Sequence, residues 1–287
     1  MRAVGEFHYR LPARAGGARP GAHRGTGLGA GQEFAAHMRL LDNPDPRRLD
    51  LRASLRNVRQ EWLVRVHRQR AAVTVHAVVD VSASMHFGAG ASKLAVAADF
   101  VEGLGHSAFR AGDPVGLLAF DAVERTDLFV PARHGRGAGE AMASALRGCI
   151  ARDDGVAGAD GLARAVERLA GRKGLVFLLS DFHWPLDALP AIFGQLAHAF
   201  VVPVVIWDPA ETTPPAANGL LALRDAESGH RRTLWLRPGV RQAWRDAVTA
   251  RRAVLADLFG AHGLRALHMS GAFDGEAVSR YFLEAVA

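Results

Sequence analysis

Asp80, Ser82 and Ser84 stand at alternate positions at the end of an apolar run over 73–79, and Asp181 closes a second apolar run that begins at Leu175. Two carboxylates and two hydroxyls brought to one place make a hard, oxygen-only donor set. That chemistry suits Mg²⁺ or Mn²⁺ rather than Zn²⁺. Magnesium keeps several of its waters, so a position stays open for an incoming oxygen, and a carboxylate of a protein partner could supply it. Each aspartate could instead cap the helix that follows its strand. Two of them, with Ser82 and Ser84 beside the first, favour a cation site over two separate caps.

Other chemistries find less support in the residue pattern. Asp80 could act as a nucleophile in Mg²⁺-dependent phosphoryl transfer. Such enzymes usually carry a second aspartate two positions later as acid and base, and here Ser82 occupies that place. No nucleophile elbow and no Ser-His-Asp order is present. The thirteen histidines are scattered, with no His-x-x-x-His pair on a helix; His86 and His183 follow the two motif aspartates closely and could line the rim. Gly25-Thr26-Gly27-Leu28-Gly29 follows no strand pattern and is not read as a dinucleotide fingerprint. The lone cysteine, Cys149, lies on an apolar helical stretch and reads as a buried thiol.

The elements that must position these residues follow from periodicity. The β-branched content of 73–79 suits a strand buried on both faces, as do 114–120, 175–180 and 201–207. Helical spacing of Leu94, Ala97, Ala98, Val101, Leu104 and Ala108 places a helix after the first motif, with Gly112 as its stop. Further helices are expected over 138–151, 159–170, 186–198, 241–259 and 274–286, a short strand over 124–130, a hairpin pairing 220–223 with 233–236, and a last strand over 264–268. Alternating strands and helices predict an α/β fold: a Rossmann-like, doubly wound, mainly parallel sheet, with ligands at the carboxyl ends of its strands. Residues 72–287 are assigned to that domain and 1–71 to a basic N-terminal extension. Within the extension, 11–31 reads as a Gly-rich mobile arm. The segment after Arg47 reads as a helix that seats Leu51, Leu55, Val58 and Trp62 on the main domain and turns Arg52, Arg56 and Arg59 outward toward a partner. A strand from Trp62 is expected to join the 73–79 strand through a hairpin at Gln69 and Arg70.

The chain has 287 residues and a net charge of +6. Much of the excess lies before residue 72, where aromatic residues are few, so an acidic protein partner is preferred to nucleic acid as the target of an Arg-rich face. No apolar stretch reaches the roughly 20 residues of a membrane span, and the first residues lack a signal-peptide core. A cytoplasmic protein is the expectation.

Asp80-x-Ser82-x-Ser84 followed by a helix, with Asp181 ending a later strand, is similar to the metal-ion-dependent adhesion site of von Willebrand factor A domains. The resemblance implies that Ser82 and Ser84 are ligands, with Asp80 and Asp181 binding directly or through water. That family also uses a threonine; here Ala159 stands in its place, and Asp160 beside it is the candidate to compensate. A narrower resemblance covers nearly the whole chain. Gly29-x-Gly31-x-Glu33-Phe34, Arg39, Arg47-Arg48-Leu49-Asp50, Arg52-Ala53-Ser54, Arg56 and the segment Asp113–Phe120 resemble MoxR-associated bacterial proteins, with Leu51 replacing the usual tryptophan. It implies a non-catalytic accessory protein that works with a MoxR-type AAA+ ATPase to mature a client enzyme such as methanol dehydrogenase. The alternatives are a Mg²⁺-dependent phosphoryl-transfer enzyme using Asp80 and an Arg-rich nucleic-acid-binding protein.

Overall fold

Four apolar segments, two of them rich in β-branched residues, form the middle of the protein. In the computed structural model, which describes residues 5–11, 19–29, 31, 33–150, 159–226 and 229–286, the strands Val75–Asp80 (β4), Val115–Phe120 (β5), Leu175–Ser180 (β7) and Phe200–Trp207 (β8) lie side by side in parallel. All six residues of β5 and of β7 are buried, as runs without polar alternation require when both faces of a sheet are covered. A short parallel strand, Leu267–Ser270 (β11), extends the sheet beside β8, and Val130–Arg133 (β6) closes the other edge antiparallel to β5. The order is β11-β8-β7-β4-β5-β6.

Helices cover both faces. One core packs Lys93–Ala111 (α2), Ala138–Arg147 (α3) and Gly275–Val286 (α8) against the sheet, through Phe100, Leu104, Met142 and Phe282. The other packs Ala159–Glu167 (α4), Leu189–Gln195 (α5) and Pro238–Ala261 (α7), through Leu162, Ile192, Leu255 and Phe259. The fold is thus mixed α/β with a central, mainly parallel six-stranded sheet between helices. Strands after β4 run outward one way and strands after β7 the other. The order therefore reverses between β4 and β7, and in open α/β sheets ligands bind at the carboxyl ends of the strands flanking such a point.

Two smaller sheets complete the chain. Pro20–Gly29 (β1), Glu33–Arg39 (β2) and Leu63–Ala71 (β3) make an antiparallel sheet in the order β1-β3-β2. The described part of the expected mobile arm is thus strand β1. Its Gly-rich sequence hid the pairing because close approach to β3, not side-chain alternation, specifies it: a Cβ on Gly25 would lie 2.3 Å from the Gln69 carbonyl oxygen. Residues 12–18 lie outside the described set. The hairpin expected at Gln69 and Arg70 does not form either, since β3 continues through Ala71 to pair with β1. Gly219–Arg224 (β9) and Arg231–Leu236 (β10) pair as the expected hairpin, one to two residues longer on most sides.

The helix after Arg47 also differs from expectation. Only Leu51–Leu55 (α1) is helical, and Leu55, Val58 and Trp62 are 83%, 97% and 54% exposed, so the stripe faces away from the main domain. Arg52, Arg56 and Arg59 are exposed, as expected. What holds α1 is polar. Asp50 caps it by accepting the Ala53 N–H at 3.0 Å, and takes Arg65 at 2.6 Å and His37 at 3.0 Å on its other oxygen. The Ser54 hydroxyl donates to the Asp50 carbonyl and accepts the Leu63 N–H. Backbone capping first, then Arg65 and His37, keeps the Asp50 carboxyl well below the usual carboxylate range.

Candidate cation and recognition site at the strand ends

β4 ends on Asp80 and β7 on Ser180, so Asp80 and Asp181 stand at the carboxyl ends of the two strands between which the order reverses. Both are fully buried. A carboxylate there needs donors, and the local chain supplies them. Asp80 Oδ1 accepts the Ser82 N–H at 2.9 Å. Its Oδ2 accepts the Ser180 hydroxyl at 2.6 Å and the Trp184 indole N–H at 3.0 Å. Even so, burial first and the neighbouring Asp181 charge second raise Asp80 to about 6.

Asp181 is held differently. Its Oδ1 accepts the His183 N–H at 3.1 Å, and its Oδ2 accepts the Lys93 ammonium at 2.7 Å. Lys93 is 1% exposed, begins α2 beside its Ser92 cap, and also donates to Glu211 Oε1 at 2.5 Å. Glu211 belongs to the helical turn Pro209–Thr212 (α6), fixed by a reciprocal cap with Asp208. Burial works against the Lys93 charge, but the two carboxylates more than offset it and its pKa is raised. Burial works likewise against the Glu211 anion, and His183 and Lys93 reverse that, so its pKa is lowered.

The wall between these carboxylates carries backbone strain. Phe182, fully buried, has φ of 54°, a left-handed conformation for a side chain that ordinarily avoids it. Its N–H donates to the Ser180 hydroxyl at 2.8 Å, and its carbonyl and that of Trp184 both accept from Arg251 of α7. Trp207 ends β8 by donating to the Asp181 carbonyl at 2.8 Å, with the His183 ring stacked on it at 5.7 Å.

Two groups of residues could hold a cation. The first is the one expected from sequence. Ser82 and Ser84 place their hydroxyl oxygens 3.2 Å apart. That is close to the separation of about 3 Å between neighbouring oxygens around a six-coordinate ion with bonds of roughly 2.0–2.1 Å. With the Asp80 carboxylate held against Ser82, this arm fits a small hard ion. The second group is Asp181, His183 and Glu211, whose ligand atoms lie within 4.8 Å of one another; Lys93 bonds two of its three members. Asp160, proposed to replace the missing hydroxyl, is exposed in the first turn of α4, and Ala159 is half-buried. That turn lies beside the loop following β5, because Gly161 lets it approach: a Cβ there would meet the Asp121 carbonyl oxygen at 2.4 Å.

Lys93, Ser180, Trp184, Glu211 and Arg251 are site residues that the sequence reading does not single out. A signal for Lys93 was present. It is one of only two lysines, with Lys173, among 35 basic residues, and it opens a helix, where the dipole disfavours a cation.

An uncharacterised protein of Mycobacterium tuberculosis is 29% identical over 240 residues, which is 82% of this chain and 74% of that protein. An uncharacterised protein from the moxR 3′ region of Paracoccus denitrificans is 38% identical over 94 residues, covering 31% of this chain and 86% of that one. Among solved structures, an aerotolerance-related membrane protein from Bacteroides fragilis aligns with a TM-score of 0.46 at 14% identity, over 75% of this chain and 98% of the other. The sequence profile of the protein family of unknown function DUF58 matches residues 44–254, and the chain belongs to that family.

Proposed function

We propose that this protein is a non-catalytic adaptor that recognises an acidic segment of a protein partner at the carboxyl ends of β4 and β7. In this reading Asp80, Ser82, Ser84 and Asp181 hold Mg²⁺ or Mn²⁺ in the manner of a von Willebrand factor A adhesion site. The ion would supply a Lewis-acidic position for a partner's carboxylate. The observation that carries the reading is the burial of two carboxylates beside paired hydroxyls where the strand order reverses. A nucleophilic role for Asp80 fits less well, because Ser82 occupies the place two residues on where such enzymes carry the aspartate that acts as acid and base.

The relative encoded in a moxR 3′ region supports pairing with a MoxR-type AAA+ ATPase. The wider role proposed is maturation of a client enzyme, of which methanol dehydrogenase is one candidate. No described helix is long and apolar enough to cross a membrane.

The test is capture of a MoxR-type ATPase on the immobilised protein. Retention is expected in Mg²⁺ and release in EDTA, and Asp80→Ala should lose the gain from the metal. Equal retention in Mg²⁺ and EDTA would sink the metal-dependent form of the proposal.

A further inference from the structure

A groove of about 1040 Å³ leads away from the strand-end site toward the β9–β10 hairpin. Its near end is lined by Ser84 and His183, and Phe87, Trp184, Leu234 and Trp244 give it an apolar floor. Its far wall is basic. Arg224, Arg231 and Arg232 line it, all three exposed.

The hairpin register makes that wall unusual. Arg231 pairs directly with Arg224 across the two strands. Like charges in directly opposed positions destabilise a hairpin. Neither arginine, nor Arg232, has an ion-pair partner among the described residues, whereas eight other arginines do. An arrangement that costs the free protein stability becomes favourable when an anion bridges the two guanidinium groups, which present forked donors to carboxylates.

We propose that this groove binds an acidic peptide segment of the partner protein, with carboxylates on Arg224 and Arg231 and apolar side chains on the floor. The proposal deepens the reading of the strand-end site as a recognition site and rests on it for the nature of the partner. The groove continues to Ser84, so one extended segment can place a further carboxylate there. A peptide suits the wall better than nucleic acid does. Glu211 and Asp225 also line the groove, and an unbroken row of phosphates would have to pass them. A peptide can alternate charged with apolar side chains and leave those positions uncharged.

The experiment uses the full chain and a fluorescein-labelled peptide alternating glutamate with tryptophan, followed by anisotropy in Mg²⁺ and in EDTA. A single-stranded oligothymidylate and inorganic phosphate serve as competitors. Arg231→Glu places opposite charges across the hairpin, so the strand pairing should be kept or strengthened. Peptide affinity should nevertheless fall at least ten-fold in both buffers. Lys173→Glu, exposed on another face, should change it less than two-fold. Added salt should weaken the wild-type complex and leave the residual binding of Arg231→Glu nearly unchanged. Affinity insensitive to Arg231→Glu would overturn the proposal, as would displacement of the peptide by oligothymidylate at equal charge. Loss in Arg231→Glu together with equal binding in Mg²⁺ and EDTA would keep the groove and remove only the metal from the strand-end site.

Discussion

Asp80 and Lys93 are the two residues at which the site conflicts most with stability, and each conflict can be measured. Asp80 ionises at about 6 in the folded protein against about 3.9 in an unfolded chain. The folded state therefore binds more protons between those values. The stability associated with Asp80 is complete below the unfolded value and lost as pH rises through about 6, a loss of roughly 2–3 kcal/mol. The groups around it, Asp181, Ser180, Trp184 and Ser82, set this balance. His76 on β4 has the opposite sign: burial, then Arg172, lower it to about 4, so its contribution is present above 6.5 and lost as pH falls toward 4. The two slopes oppose each other in the wild type. Asp80→Asn should unmask the His76 slope, and urea unfolding in EDTA should show stability rising more steeply from pH 4 to 6.5 in the variant. Parallel profiles for the two proteins would mean that Asp80 titrates normally.

Lys93 presents the complementary case. Replacing it with methionine leaves buried Asp181 and half-buried Glu211 without their ammonium, and breaking a buried ion pair such as Lys93–Asp181 costs roughly 3–5 kcal/mol. The same change frees Asp181, His183 and Glu211 to bind a divalent ion. Lys93→Met should therefore unfold at a lower temperature than wild type and gain more from added Mn²⁺. No difference between the two proteins in their response to Mn²⁺ would show that the cluster does not bind the ion.

At the scale of elements, the site depends on α2 carrying Lys93 to the strand ends, and α2 is seated by a glycine contact. Gly105 of α2 crosses Gly139 of α3 so closely that a Cβ at Gly105 would lie 2.2 Å from the Gly139 Cα. Gly105→Ala must push the helices apart, at a cost of roughly 1–3 kcal/mol. Gly90→Ala, with open space around it, should change stability far less. Chemical denaturation of the pair of variants measures the difference. These elements also show what was legible in the sequence. The apolar runs of β4, β5, β7 and β8 announced buried strands, and with them the place of Asp80 and Asp181. β1 was not legible, because glycine contacts rather than alternation define it. Nor was the exposure of Leu55 and Val58, because a helical stripe gives the spacing of apolar residues and not which surface they meet. The ammonium of Lys93 lies 88 and 118 residues along the chain from its partners, beyond the reach of any local pattern.

For the whole molecule, the question is whether the N-terminal residues are an appendage or part of the main core. Phe7 is 2% exposed, stacks on Phe100 with ring centroids 5.3 Å apart, and meets Phe177 edge-on. Tyr9 donates its hydroxyl to Asp113 Oδ2 at 2.6 Å, and His23 of β1 meets the same oxygen at 2.7 Å. Asp113 Oδ1 accepts the Val73 N–H at 2.8 Å, just before β4. One buried carboxylate thus ties the first residues, the small sheet and the entry to the central strand together. Removing residues 1–10 takes two buried aromatics out of the core, each a change of roughly 3–5 kcal/mol when such a side chain is truncated, and strips a donor from Asp113. The deletion should lower the urea midpoint sharply in a single transition, and hydrogen exchange should quicken in β4 and β5 as well as in β1. If the first seventy residues were an independent unit, exchange in β4 and β5 would be unaffected and the midpoint would stay where it was.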